Sequence, residues 1–357
     1  MRALACLGLA EPLELIELDD PTPGPGEVVV RVDACGICGT DIKKIQKGLL
    51  AGPHIFGHEI AGTVVREPSS RRFREGDRVV LHHHIPCGAC FYCARGAYAQ
   101  CEVYKRNGTT AGFEASGGGF AEFVKAYDWI VERGAIAIPD GVLPEEAAFV
   151  EPVNTCLKAV RKAAVGPGQT VLVVGQGPIG LILMQLCRWA GAEVIATDTM
   201  ADRLEMSRRL GATLALDARG YIVKELRALT GGRGADCSIV AAVGQTAFTQ
   251  AIDATRPAGR IMMFAATSPG ETAELDLGSL GAAEKEILTS YSASVDVQDL
   301  AAQLVFGREV RVRELVTHRF PLREAPAAVD LASRTAPGVL KVVLQRDEGQ
   351  RGELLAT

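Results

Sequence analysis

Between Gly166 and Ala190 the chain runs turn, apolar strand, glycine-rich loop and helix, an order that few folds accommodate. Gly166-Pro-Gly-Gln-Thr170 is a turn by composition, and Val171-Leu-Val-Val174 reads as a buried strand. Gly175-Gln176-Gly177-Pro178-Ile179-Gly180 follows at once and opens the helical run Leu181 to Ala190. A lone G-x-G-x-x-G is a weak signal, but between a strand and a helix it predicts a phosphate-binding turn. Gly175 permits the turn, Gly177 lets a pyrophosphate approach the backbone, and Gly180 allows helix and strand to pack closely. The phosphates then meet the unpaired N–H groups of the helix start. A second strand, Glu193 to Thr197, ends in Asp198, about twenty residues on. A carboxylate there accepts from a ribose 2′-hydroxyl and repels a 2′-phosphate, which favours NAD over NADP. Arg203 stands close by as an opposing charge. Gly175, Gly177, Pro178, Ile179, Gly180, Asp198 and Arg203 are therefore the candidate nucleotide-binding residues.

The alternation continues beyond this motif. Arg203 to Leu210, Tyr221 to Leu229 and Ala247 to Thr255 read as helices, between strands at Leu214 to Leu216, Cys237 to Val243 and Arg260 to Phe264. Ile287 to Ser292 would be the last strand of a doubly wound sheet over roughly 150 to 290. A chain of 357 residues has length for two domains. The remainder has a different texture. Leu13 to Leu18, Glu27 to Asp33, Ile60 to Val65 and Arg78 to Leu81 are short, closely spaced strands separated by turns such as Pro21-Thr-Pro-Gly-Pro-Gly26. That spacing suggests a partly open barrel. Gly338 to Leu344 would be a strand rejoining this first domain, and the polar tail Arg346 to Thr357 is expected to fray.

Cys87-Gly-Ala-Cys90-Phe-Tyr-Cys93, followed by Cys101, places four thiols in one short loop. Four thiolates leave a tetrahedral ion no open position, which predicts a structural zinc. An iron–sulfur cluster is the rival, but the last spacing is x7 rather than x3 and no proline follows Cys101. The adjacent His82-His-His84 cannot all reach one ion from an extended segment, because successive side chains alternate faces. These histidines, and His54, are expected to be structural or to line a cleft.

A second constellation lies upstream. Cys35-Gly-Ile-Cys38-Gly-Thr40-Asp41 is answered by Pro53-His-Ile-Phe-Gly57-His58-Glu59. Thiolate, imidazole and carboxylate are the side chains zinc accepts, and three of them leave a fourth position open. Taken singly, Cys38 would be a small core residue and His58 a satisfied core histidine. Glu151, which reads as the far end of a helix begun at Pro144, is a further candidate ligand or outer carboxylate, with Cys156 as its competitor.

Composition excludes several classes. Of all residues 48% are hydrophobic and 23% charged, ordinary for a globular enzyme, and the net charge of -5 offers no basic face for nucleic acid. No apolar run is long enough to span a membrane, and the N-terminus does not read as a signal peptide. Ten cysteines without a secretion signal indicate metal ligands and core thiols in the cytoplasm.

As a set, Cys38-Gly-Thr-Asp, Gly57-His58-Glu59 with Gly62, Gly76-Asp-Arg-Val, the four-cysteine lobe, Glu151-Pro, Gly175 to Gly180 and Asp198 resemble the zinc-dependent medium-chain alcohol dehydrogenases, in particular the sorbitol and threonine dehydrogenase branch. The match runs over nearly the whole chain and keeps the family's order. It implies a GroES-like catalytic domain (1–152 and 291–357, zinc lobe 85–105) and a Rossmann NAD-binding domain (153–290). It further implies two zinc ions per subunit, one catalytic and one structural, and a homodimer or homotetramer. Carried over, Cys38, His58 and Glu59 would form the catalytic zinc site with Glu151 as another ligand or near-ligand. Thr40 would hydrogen-bond the substrate oxygen and start a proton relay. Lys43 stands where relatives carry the histidine that ends that relay, and Ser290-Tyr291 stands where polyol-specific members carry Arg-Tyr. The implied reaction is hydride transfer from a secondary alcohol (polyol, amino alcohol or sugar-like) to NAD. Thr40, Tyr291 and Glu114 are candidates to face such a substrate. A ketone or ketose reductase using the same residues, and a non-catalytic NAD- and zinc-binding sensor, are the alternatives.

Overall fold

The computed structural model describes residues 1–8, 12–47, 53–265 and 270–347. Most of the polar tail, 348–357, lies outside the described residues. The chain divides into two compact units. The first takes Met1–Glu151, Ser294–Phe306 and the chain from Val312 onward, and the second takes Pro152–Ala293 and Gly307–Arg311.

In the first unit an eight-stranded sheet runs in the order Val316–Pro321, Lys341–Gln345, Val28–Gly36, Glu59–Arg66, Arg78–Leu81, Ala135–Ala137, with Phe123–Ala126 and Thr109–Thr110 branching from Val28–Gly36. A three-stranded sheet of Leu13–Glu17, Arg2–Cys6 and His54–Ile55 completes the curled half-barrel. Val28–Gly36 is nearly all apolar and buried because it pairs on both edges, with Glu59–Arg66, Phe123–Ala126 and Lys341–Gln345. Its pairing with Lys341–Gln345 returns the end of the chain to this sheet, where Leu344 and Val342 join a core that includes Ile60, Phe120 and Leu81.

The second unit is a six-stranded sheet in the order Leu214–Asp217, Glu193–Asp198, Thr170–Val174, Ala235–Val240, Thr255–Met263, Glu286–Thr289. Every pairing is parallel. The order reverses between Thr170–Val174 and Ala235–Val240, which is the topological switch point where such sheets bind ligands. Val171, Leu172 and Val173 are fully buried, as the centre of a sheet covered on both faces requires. Gly307–Arg311 is held here because Gln185, on the helix Pro178–Trp189, accepts from the Arg311 N–H at 2.8 Å.

Two local readings of the sequence differ from the structure. Glu151 does not end a helix: Pro144–Ala147 is a short helix, and Glu151 lies in the first turn of a second one, Val150–Lys162. Pro152 does not stop that helix, because the first N–H groups of a helix have no intrahelical acceptor to lose. The helix Gly39–Lys47 was not anticipated, although Ile42 and Ile45 stand three residues apart on it and pack against the core of the first unit.

Candidate metal and nucleotide sites

Cys38 ends the segment after Val28–Gly36 and sits immediately before Gly39–Lys47, so the amide end of that helix faces its sulfur. The Thr40 N–H lies 3.5 Å from Cys38 Sγ. His58 and Glu59 enter through Gly57, whose φ of +92° suits glycine and whose added Cβ would stand 2.8 Å from the Phe120 backbone nitrogen. One donor atom from each of Cys38, His58 and Glu59 lies within 4.8 Å of the others. Glu151 lies outside that set, yet its carboxyl is buried and feels His58 and Glu59; burial pushes it up to about 7.

Asp41 is the residue sequence reasoning missed here. Its buried carboxylate stands 3.1 Å from His58 Nδ1, which leaves Nε2 as the ring nitrogen available to an ion. The signal was present in Cys38-Gly-Thr-Asp41, where a carboxylate follows the thiol by three residues. Lys341 was missed as well: its Nζ donates to Glu59 Oε1 at 2.6 Å and lies 2.5 Å from Oε2, both side chains buried. Glu59 raises the Lys341 ammonium above its ordinary range against the cost of burial. These residues fit a zinc ion, because a soft thiolate and an imidazole already fixed by a carboxylate are its preferred donors. Thr40 and Lys43 lie on the adjoining helix, both half-buried.

The lobe thiols also converge. Cys101 Sγ is 3.5 Å from Cys87 Sγ, and Cys87 Sγ is 3.9 Å from Cys93 Sγ, with Cys90 in the same group. A tetrahedral ion with zinc–sulfur bonds of about 2.3 Å sets its sulfurs about 3.8 Å apart, so the spacing suits zinc. The N–H groups of Cys87 and Ala89 point at sulfurs, and backbone N–H groups pull the Cys90 thiol down to about 6.

In the second unit Gly177 caps the helix Pro178–Trp189 with Pro178 in its first turn and Ile179 next. A Cβ on Gly180 would fall 1.8 Å from the Gly175 oxygen, so this glycine is fixed by close approach of the helix to the loop. Asp198 ends its strand buried, accepting from the Gln176 N–H at 2.6 Å and the Met200 N–H at 2.9 Å, with Arg203 at 3.9 Å. Cys156 is fully buried in this unit, its Sγ 4.0 Å from the Ile179 oxygen. Glu114 is buried, and its Oε1 accepts from the Thr110 hydroxyl at 2.9 Å and from the Ala111 N–H within its own loop. Tyr291 is more than half exposed.

Models of two families match the chain, an alcohol dehydrogenase GroES-like domain over residues 24–140 and a zinc-binding dehydrogenase over residues 178–306. The L-threonine 3-dehydrogenase of Symbiobacterium thermophilum is 32% identical over 97% of this chain and 98% of its own length. The sorbitol dehydrogenase of Bombyx mori is 30% identical over 93% and 95%. A structure assigned as a zinc-binding dehydrogenase of Sinorhizobium meliloti 1021, bound to NADP, superposes with a TM-score of 0.86 at 29% identity, covering 96% of this chain and 98% of that one. The chain belongs to the zinc-dependent medium-chain alcohol dehydrogenase family. It is an oxidoreductase that moves a hydride between an alcohol and a nicotinamide cofactor. The reductase and sensor alternatives are not favoured. Among the described residues no helix is long and apolar enough to cross a membrane.

Proposed function

We propose that this enzyme oxidises a secondary alcohol of the polyol, amino alcohol or sugar-like class with NAD, using two zinc ions per subunit. The observation that carries the reading is the convergence of Cys38, His58 and Glu59 within 4.8 Å, with His58 oriented by Asp41. Cys38, His58 and Glu59 would hold the catalytic ion, with Glu151 as a fourth or alternating carboxylate; Cys87, Cys90, Cys93 and Cys101 would hold the structural one. Zinc at the first site supplies Lewis acidity that lets a hydroxyl lose its proton near neutral pH. Thr40 accepts that proton's hydrogen bond and passes it outward, with Lys43 at the exit. Lys341 holds Glu59 in place, its Nζ reaching both carboxylate oxygens. Asp198 selects NAD by accepting from the ribose 2′-hydroxyl, while Arg203 tempers the repulsion of a 2′-phosphate. The family resemblance supports domains at 1–152 with 291–357 and at 153–290. Ten cysteines with no disulfide among the described residues support a reducing cytoplasm, and a homodimer or homotetramer follows from the family resemblance.

The test is a panel of polyols, amino alcohols and sugar acids with NAD and NADP, before and after dialysis against a chelator. NAD reduction that disappears on chelation and returns with zinc is the expected result. Unchanged turnover after complete zinc removal would refute the reading.

A further inference from the structure

The histidine run His82-His-His84 follows the strand Arg78–Leu81 and belongs to neither group of metal-binding side chains, yet two of its rings bridge the two groups. The centroid of the His58 ring lies 4.9 Å from that of His83, at an interplanar angle of 48°. His83 lies 3.8 Å from His84 and His84 3.7 Å from Tyr104, each pair edge to face at 82°. The Tyr104 N–H donates to the Cys101 oxygen at 3.1 Å, and its buried side chain packs with Cys93 and Cys101 in the small core of the four-cysteine lobe. Successive ring contacts, all within the first unit, therefore connect the lobe to His58.

Packing, rather than hydrogen bonding, orients these rings. Among the described residues neither ring nitrogen of His84 has a hydrogen-bond partner, nor does His83 Nδ1. The backbone is pinned instead. The His83 oxygen accepts from the Thr109 N–H at 3.0 Å and from the Ser116 hydroxyl at 2.7 Å, and a Cβ on Gly108 would stand 1.8 Å from it. With its main chain fixed, the His83 ring has few rotamers, and its close-packed neighbours select among them. Asp41 holds His58 at Nδ1, which sets the tautomer. One bond at one ring atom still lets an imidazole tilt about that atom, and a second ring packed beside it removes the freedom.

We infer that His83 is a positioning residue for His58, and that His84 and Tyr104 tie its placement to the four-cysteine lobe. While the lobe keeps Tyr104 seated, His58 stays aimed at the first metal position. A change that lets Tyr104 shift passes through His84 and His83 and loosens the grip of His58 on its ion. The inference rests on the metal-site reading for the role of His58.

The experiment exposes the zinc-loaded enzyme to a chelator for timed intervals and counts ions per chain by mass spectrometry. Cys38→Ser, which keeps the lobe ion alone, is run beside it so that losses from the two sites separate. The visible spectrum after cobalt replaces zinc reports ligand geometry at the first site. His83→Ala is expected to speed release of the first ion at least tenfold and to shift its cobalt bands, with kcat lowered several-fold and the KM for NAD unchanged. His83→Phe keeps a ring and is expected to restore most of the retention. Tyr104→Leu is expected to speed the same release several-fold, whereas Tyr98→Leu, in the same lobe core but outside the ring run, leaves it as in wild type. His83→Ala and Tyr104→Leu together are expected to give less than the product of their separate effects, because both break one path. Release unmoved by His83→Ala or by Tyr104→Leu, or Tyr98→Leu as effective as Tyr104→Leu, overturns the inference while the wild type still carries two ions. A wild type that carries one ion overturns the metal reading itself, so the two failures are distinguishable.

Discussion

Asp41 Oδ1 and His58 Nδ1 stand 3.1 Å apart, and the Asp41 side chain is buried. The carboxylate fixes the tautomer and the ring plane of His58, so its second nitrogen is presented to an ion in one orientation. Asp41→Asn keeps the volume and loses the charge. Zinc affinity, measured by competition with a chromophoric chelator, is expected to fall 10–100-fold with the fold intact.

Lys341 and Glu59 are a buried pair separated by 282 residues of sequence. Lys341→Met leaves the Glu59 carboxylate buried without its counter-charge. Urea unfolding is expected to show a loss of about 3–5 kcal/mol. Gly36→Ala should weaken the same pair, because a Cβ there would stand 2.0 Å from Glu59 Oε2. A wild-type midpoint in both variants would show the pair to be dispensable.

Much of this site was legible in the sequence, for identifiable reasons. Cys38, His58 and the four lobe cysteines announce themselves by ligand type and spacing, and Gly175 to Gly180 by its place between strand and helix. Lys341 was illegible, because only the return of Lys341–Gln345 to the side of Val28–Gly36 brings it to Glu59. Glu151 was placed at the wrong end of a helix, since a proline inside a first turn looks in sequence like a proline that ends one. Glu114 reads as a polar loop residue, and the sequence does not show that its Oε1 closes its own loop. Long-range pairing and local self-capping are the two things that residue spacing does not encode.

Asp198 sets cofactor choice by its charge. Asp198→Ala removes the acceptor for the 2′-hydroxyl and leaves Arg203, which lies 3.9 Å away, to face the cofactor. kcat/KM for NAD is expected to fall at least tenfold and the NADP-to-NAD ratio to rise, measured with one alcohol at saturation. An unchanged ratio would mean that another group reads the ribose.

His82 makes the protein acid-sensitive. Burial lowers it from 6.5 to about 4, so between those values the unfolded chain binds a proton that the folded chain refuses. Stability is therefore complete above about pH 6.5 and declines as pH falls toward 4, by roughly 2 kcal/mol at pH 5 for this one group. His82→Phe is expected to narrow the difference between urea midpoints at pH 7.5 and 5. An identical difference in the variant would assign the sensitivity elsewhere.

The most direct measurement is the zinc content of purified wild type and Cys38→Ser by mass spectrometry, with NAD reduction followed in parallel. Two ions per chain falling to one, with alcohol oxidation lost and the lobe metal retained, is the predicted result. A Cys38→Ser enzyme that keeps both ions and full turnover would contradict the account.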